Sequence, residues 1–154
     1  MPSTASLASK LQTDYPQFLF IKASRFLWSP SEKTIFYTDK NNDNCIFLLH
    51  ELSHGLLDHA DYSHDIELIA MESKAWDKVT ELANKYKVTI NEKSIQLTLD
   101  TYRDWLHSRS TCPNCKATGV QNGKKSYYCL ACNHEWRVNE ARICALRRYK
   151  IKNN

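Results

Sequence analysis

Cys45-Ile46-Phe47-Leu48-Leu49-His50-Glu51-Leu52-Ser53-His54-Gly55-Leu56-Leu57 is the stretch from which the rest of the chain can be read. It is apolar enough for a packed helix, expected from about Cys45 to Leu57, and the preceding Asp39-Lys40-Asn41-Asn42-Asp43-Asn44 supplies several N-caps. Inside it lies the pattern HExxH. Residues i and i+4 stack on one face of a helix, so the imidazoles of His50 and His54 can reach a single Zn²⁺ at about 2.0–2.1 Å. Glu51 is offset from that edge and suits a general base acting on water rather than a ligand. The bland alternative is a surface helix that carries two His and a Glu by chance. The apolar residues on both sides argue against it, because His and Glu buried without partners are costly. Gly55 lowers helix propensity and is expected where close approach or a chain reversal needs it.

A catalytic zinc takes a third protein ligand and keeps one position for water. A second helix is expected from near residues 63–65 to about Tyr86, with Asp65 and Glu67 at its start and Lys85 near its end, as the helix dipole favours. Its apolar face reads Leu68, Ile69, Ala75, Trp76, Val79, Leu82 and Ala83. Helical phase puts Glu72 on that face and Glu67 on the side of Lys74 and Lys78. A buried carboxylate needs a partner, so Glu72 is the expected third ligand. His59 and His64, in the connection between the helices, are its rivals, and each also reads as a solvent-facing histidine. Asp58 reads either as a hydrogen-bond acceptor behind His54 or as a surface carboxylate.

Upstream, Phe18-Leu19-Phe20-Ile21, Arg25-Phe26-Leu27-Trp28 and Thr34-Ile35-Phe36-Tyr37 read as extended segments, the last two joined by a Ser29-Pro30-Ser31-Glu32 turn. A small antiparallel sheet is the expectation, with the first dozen residues as a loose polar arm. A third helix fits roughly Glu92 to His107, with Ile95, Leu99, Tyr102 and Leu106 on one side. Ser108-Arg109-Ser110-Thr111 then reads as a polar link between domains.

The run Phe47 to Leu57, followed by a helix containing Glu72-Ser73-Lys74-Ala75, resembles the ImmA/IrrE-like zinc metallopeptidases. The resemblance covers about residues 17–87, and its HExxH part is far more specific than its E-x-x-A part. It implies a compact gluzincin-type protease with His50, His54 and Glu72 as ligands and Glu51 as general base. Known members cleave helix-turn-helix transcriptional repressors, so the resemblance also implies a DNA-bound regulator as substrate. A cysteine-rich tail is not part of that family's core pattern.

The 154 residues include six Cys, of which four form two CxxC pairs 13 residues apart, Cys112/Cys115 and Cys129/Cys132. That is the form of a Cys₄ zinc ribbon, since each CxxC turn aims two thiolates at one metal. Gly119 and Gly123 fit its turns and Ser126-Tyr127-Tyr128 fits a strand. A redox dithiol expects one CxxC beside a βαβ unit, which this pattern lacks. Cys45 and Cys144 read as small buried hydrophobes.

Charge changes where the cysteine pairs begin: residues 1–110 carry 12 Lys/Arg against 15 Asp/Glu, and residues 111–154 carry 9 against 2. Arg137, Arg142, Arg147, Arg148, Lys150 and Lys152, with Trp136 and Tyr149 nearby, suit a nucleic-acid backbone; equally they suit a basic C-terminal helix docking on the acidic body.

The whole therefore reads as an α+β protein: a zincin-like domain at residues 1–108, with a small antiparallel sheet and a helical core, and a zinc ribbon with a basic helix at 109–154. The expected cofactors are two zinc ions, one catalytic and one structural. No apolar stretch is long enough for a membrane span or a signal peptide, so the expected compartment is the cytoplasm. The expected activity is zinc-dependent endopeptidase. A SprT-like protease, which joins HExxH to a zinc ribbon and acts on DNA-attached proteins, is the rival family. It takes its third ligand from a His followed by Gly, a neighbour that neither His59 nor His64 has. A rival of another class is a nucleic-acid-binding protein whose HExxH metal is only structural.

Overall fold

Ser3 caps a helix, α1 (Thr4–Asp14), that the polar composition of the N-terminus conceals; its side chain accepts from the Ser6 amide at 3.2 Å. Thr4, Leu7, Ala8 and Leu11 form its buried stripe at helical spacing, so the expected loose arm is instead a packed element. The computed structural model describes residues 1–40, 44–139 and the backbone of 148–150. Asn41, Asn42 and Asp43 of the capping run lie outside the described residues, as do Arg142, Cys144, Arg147 and Lys152.

After α1 come β1 (Leu19–Lys22), β2 (Leu27–Ser29) and β3 (Thr34–Tyr37). The β2–β3 hairpin is antiparallel with Trp28 opposite Ile35, but β1 joins the other side of β3 in parallel, Phe20 opposite Ile35. The sheet is thus mixed rather than wholly antiparallel, in the order β1-β3-β2. The Gln12 side chain ties β1 to α1, donating to Phe18 O at 2.8 Å and accepting from the Phe20 amide at 3.0 Å. Then follow α2 (Cys45–Leu56), α3 (Asp65–Tyr86) and α4 (Glu92–Ser110), the α+β content the sequence implied. None of these helices is long and apolar enough to cross a membrane.

The chain divides into two compact units. The first comprises residues 1–61 and 71–95. Here α2 packs on β2, β3 and α1 around Leu7, Leu11, Ile35, Leu48, Leu49, Leu52, Ala75 and Val79, all buried. Cys45 is buried as expected, its thiol donating to Pro2 O.

The second unit comprises residues 62–70 and 96–154, more than the ribbon expected from residue 109 onward. Ser108-Arg109-Ser110 form no link, because they are the last turn of α4, with Arg109 only 2% exposed. Strands β4 (Val120–Gly123), β5 (Ser126–Tyr128), β6 (Glu135–Val138) and β7 (Arg148–Lys150) form an antiparallel sheet in that order. Arg148, Tyr149 and Lys150 are therefore in a strand, not in the basic helix expected of this segment. Trp136, Tyr127 and Val138 pack with Cys112 and Cys129 into a small core. Gly119 is required there: a Cβ would sit 2.3 Å from the Trp136 ring.

Candidate functional site

Two groups of side chains in the described residues converge closely enough to hold a metal ion: His50, His54 and Glu72 in the first unit, and the four CxxC cysteines in the second.

In the first, α2 presents His50 and His54 one turn apart and α3 presents Glu72, all three buried. His50 Nε2 and His54 Nε2 lie 3.1 Å apart, while the Glu72 oxygens lie 3.0 Å from the former and 3.3 Å from the latter. A tetrahedral zinc with bonds of about 2.0–2.1 Å needs ligand atoms roughly 3.3 Å from one another, and the two ring nitrogens come close to that spacing, with Glu72 Oε2 beside one and Oε1 beside the other. Glu72 Oε2 completes no hydrogen bond despite its nearness to His50, which fits a carboxylate directed at a cation shared with the ring nitrogens. Burial disfavours its charge, but the adjacent His50 and His54 rings outweigh that and pull the Glu72 carboxyl down to about 2. Glu67, by contrast, accepts from Ser63 at the exposed start of α3.

The surrounding residues hold the rings. Trp76, one turn after Glu72, stacks on His50 with centroids 4.3 Å apart. Asp58 adopts φ 54°, and the chain reversal there brings His59 back beneath α2. His59 Nδ1 meets His54 Nδ1 at 2.8 Å, so His59 is behind a ligand rather than among the ligands. When His54 turns an Nε2 lone pair to the site its proton sits on Nδ1, and the His59 lone pair accepts it. His64 contacts Ser63 and Glu67, and Asp58 is a surface carboxylate paired with Lys33. Sequence reasoning assigned neither Trp76 nor His59 to this support.

Glu51 is fixed differently. Its Oε2 accepts from the Trp28 backbone N–H at 2.8 Å, so the β2 edge orients it. Burial pushes the Glu51 carboxyl above its usual range, against the pull of His50, His54 and the Trp28 amide. Trp28 is itself held by an indole hydrogen bond to His59 O at 2.8 Å and an edge-on contact with Phe18. Gly55 lies against both rings: a Cβ would be 3.2 Å from Trp28 and 3.3 Å from Phe18. The close approach expected at Gly55 is thus what seats the residue that orients Glu51.

The ribbon cluster is built from two turns of the same design. Lys116 N–H bonds Cys112 O at 2.9 Å and Cys112 N–H bonds Ala117 O at 2.8 Å. Asn133 N–H bonds Cys129 O at 2.8 Å and Cys129 N–H bonds His134 O at 2.9 Å. In each turn the residue after the second cysteine is left-handed, Lys116 at φ 67° and Asn133 at φ 60°. Sγ–Sγ separations of 3.7 Å (Cys112–Cys132) and 3.5 Å (Cys115–Cys129) are far too long for disulfides. They are close to the roughly 3.8 Å edge of a ZnS₄ tetrahedron with bonds of about 2.3 Å. The Asn114 side chain donates to Cys132 Sγ at 3.5 Å.

One further charged group, also unforeseen, belongs to the second unit. Arg109 Nε donates to Asp65 Oδ2 at 3.0 Å, and both residues are buried. No family model matches this chain, and no curated protein or solved structure matches it either.

Proposed function

We propose that this chain is a zinc-dependent endopeptidase. The observation that carries the reading is the convergence of two buried imidazoles and a buried carboxylate beside a second carboxylate held by a backbone amide. The resemblance of the α2 and α3 residues to the ImmA/IrrE-like metallopeptidases supports it from the sequence side. It also makes a DNA-bound helix-turn-helix regulator the substrate class to test first, and the cytoplasm the place to look.

His50, His54 and Glu72 would hold the zinc, which when bound would supply Lewis acidity toward a carbonyl and lower the pKa of water toward neutrality. The chain's own groups do the rest. The Trp28 amide occupies Glu51 Oε2, which leaves Oε1 to take the proton of the attacking water and hand it to the departing nitrogen. The desolvation that raises the Glu51 pKa moves this base closer to working pH. His59 and Trp76 hold the two imidazoles in place, so the ligand set is assembled before substrate arrives. The ribbon is a separate, structural zinc module.

The deciding experiment compares zinc-loaded wild type with Glu51→Gln on a quenched peptide library, with zinc content measured on both. The expected result is hydrolysis by the wild type and a loss of about 10²–10⁴-fold in the variant at unchanged zinc content. Equal rates in the two, or no hydrolysis by the wild type, would reject the reading.

A further inference from the structure

The peptidase reading makes no use of the 9 Lys/Arg that face only 2 Asp/Glu in residues 111–154. Among the described residues of the second unit, Lys116 lies at the cysteine end of the sheet, whereas Lys124, Lys125 and Arg137 lie toward the other end. Both cysteine turns lie at one end of it: Cys112 and Cys115 precede β4, while Cys129 and Cys132 connect β5 to β6. Four thiolates around one Zn²⁺ give that end a net charge of about −2. The opposite end is the β4–β5 turn, with Lys124 and Lys125 both exposed. The Val138 amide bonds Lys125 O at 3.0 Å and so brings the end of β6 to the same place.

Strand alternation then divides the faces. Tyr127, Trp136 and Val138 point into the core. Ser126 and Tyr128 on β5, and Glu135 and Arg137 on β6, take the outward face, with Ser126 opposite Arg137 and Tyr128 opposite Glu135. Tyr128 is half-buried and in register with exposed Val120. The acidic Glu135 sits at the cysteine end, away from the lysines. On β7, Arg148 is in register with Val138 and Tyr149 with Arg137.

We propose that the outward face of this sheet, with its Lys124–Lys125 turn, binds single-stranded nucleic acid. The basic end supplies sequence-independent attraction for phosphates. The Tyr128 ring lies on the same face as Arg137, so an unpaired strand can stack a base and place its phosphates on the cations together. A duplex keeps its base faces covered and can use only the charge.

The test uses the full-length, zinc-loaded chain and a fluorescent oligothymidylate of about 20 nucleotides, read by anisotropy. About three phosphate contacts, from Lys124, Lys125 and Arg137, predict a slope of log K against log salt near −2, or roughly a 20-fold loss between about 50 and 200 mM salt. Lys125→Glu/Arg137→Glu should weaken binding at least about tenfold at low salt and flatten the slope to about −0.7. Glu51→Gln should bind like the wild type, which separates this proposal from the peptidase reading. If the charge-reversed protein fails to retain ribbon zinc, Lys124→Ala/Lys125→Ala at the exposed turn takes its place, with weakened binding and a shallower slope expected. No binding at low salt, affinity unchanged in a zinc-retaining variant, or tighter binding to the matching duplex would overturn the proposal.

Discussion

Replacing Arg109 by Met tests whether one buried ion pair organises the second unit. The guanidinium donates to Asp65 Oδ2 at 3.0 Å, to Lys124 O at 3.4 Å and to Asn139 O, and lies 4.4 Å from the Trp105 ring centroid. It thereby ties the first turn of α3 to the β4–β5 turn and to the end of β6. The Met stem replaces most of the packing on Trp105, so the loss is chiefly electrostatic. Asp65 is fully buried and its Oδ1 already has no hydrogen-bond partner, so removing Arg109 leaves a buried carboxylate without its cation. Breaking such a pair from one side costs about 3–5 kcal/mol, a large share of the 5–15 kcal/mol that holds a typical domain together. The two freed carbonyls are only part-buried and can turn to water, so they add little. The readout is native-state hydrogen exchange at the β5 and β6 amides, under saturating zinc. At about 1.4 kcal/mol per decade the expected acceleration is roughly 10²- to 4 × 10³-fold. Asp65→Asn/Arg109→Met, which removes both charges, should recover much of that protection. Acceleration below about tenfold, or a double variant no better than the single one, would refute this account of the pair.

Other outcomes follow from the same geometry. Glu72→Gln should lower the zinc bound per chain from two to one, while His64→Ala leaves it at two; metal retained at the His pair without Glu72 would remove the assigned third ligand. Gly119→Ala forces a Cβ to 2.3 Å from Trp136, whose indole is anchored on Arg109 O at 3.0 Å, and should destabilise the ribbon by about 1–3 kcal/mol in zinc-linked denaturation. Chelation should strip the hydrogen-exchange protection of Tyr127 and Trp136, because so small a core depends on its metal. Burial, and then the hydrogen bond to Asp14, push the Tyr86 hydroxyl above its ordinary 10.0, so the folded chain holds that proton more tightly than the unfolded one. The stabilisation is complete below pH 10.0 and falls as pH rises through the folded value. Melting temperatures measured between about pH 9 and 11 should decline less steeply in Tyr86→Phe.

What could be read in advance depended on how local its cause was. Periodicity placed α2, α3 and α4 to within a few residues, because each carries an apolar stripe of its own, although Asn44 makes no side-chain cap bond at the start of α2. The position of Glu72 beside the imidazoles was legible for the same reason: helical phase alone separates it from Glu67. The cysteine spacing carried the ribbon cluster. α1 was missed although Ser3, Leu7 and Leu11 stand at cap and stripe positions, because small polar residues fill the remainder. The parallel β1–β3 ladder leaves no trace in Phe18-Leu19-Phe20-Ile21, whose unbroken apolar run has no alternation to reveal direction. Arg109 was placed in a solvated link because its partner Asp65 lies 44 residues away. His59 reaches His54 only through the reversal at Asp58, a backbone event that side-chain patterns do not announce.

The matched pair of cysteine turns has one last implication, for engineering. Each asks a side-chain-bearing residue, Lys116 or Asn133, to adopt a backbone shape for which glycine is best suited. Lysine tolerates that shape less well than asparagine, with a cost on the order of 1 kcal/mol. Coordination energy, at roughly 10–16 kcal/mol for comparable zinc peptides, covers that cost easily and hides it from any assay run with metal present. A glycine at position 116 would recover it, giving a sturdier scaffold in which the thiolates need less help from their ion.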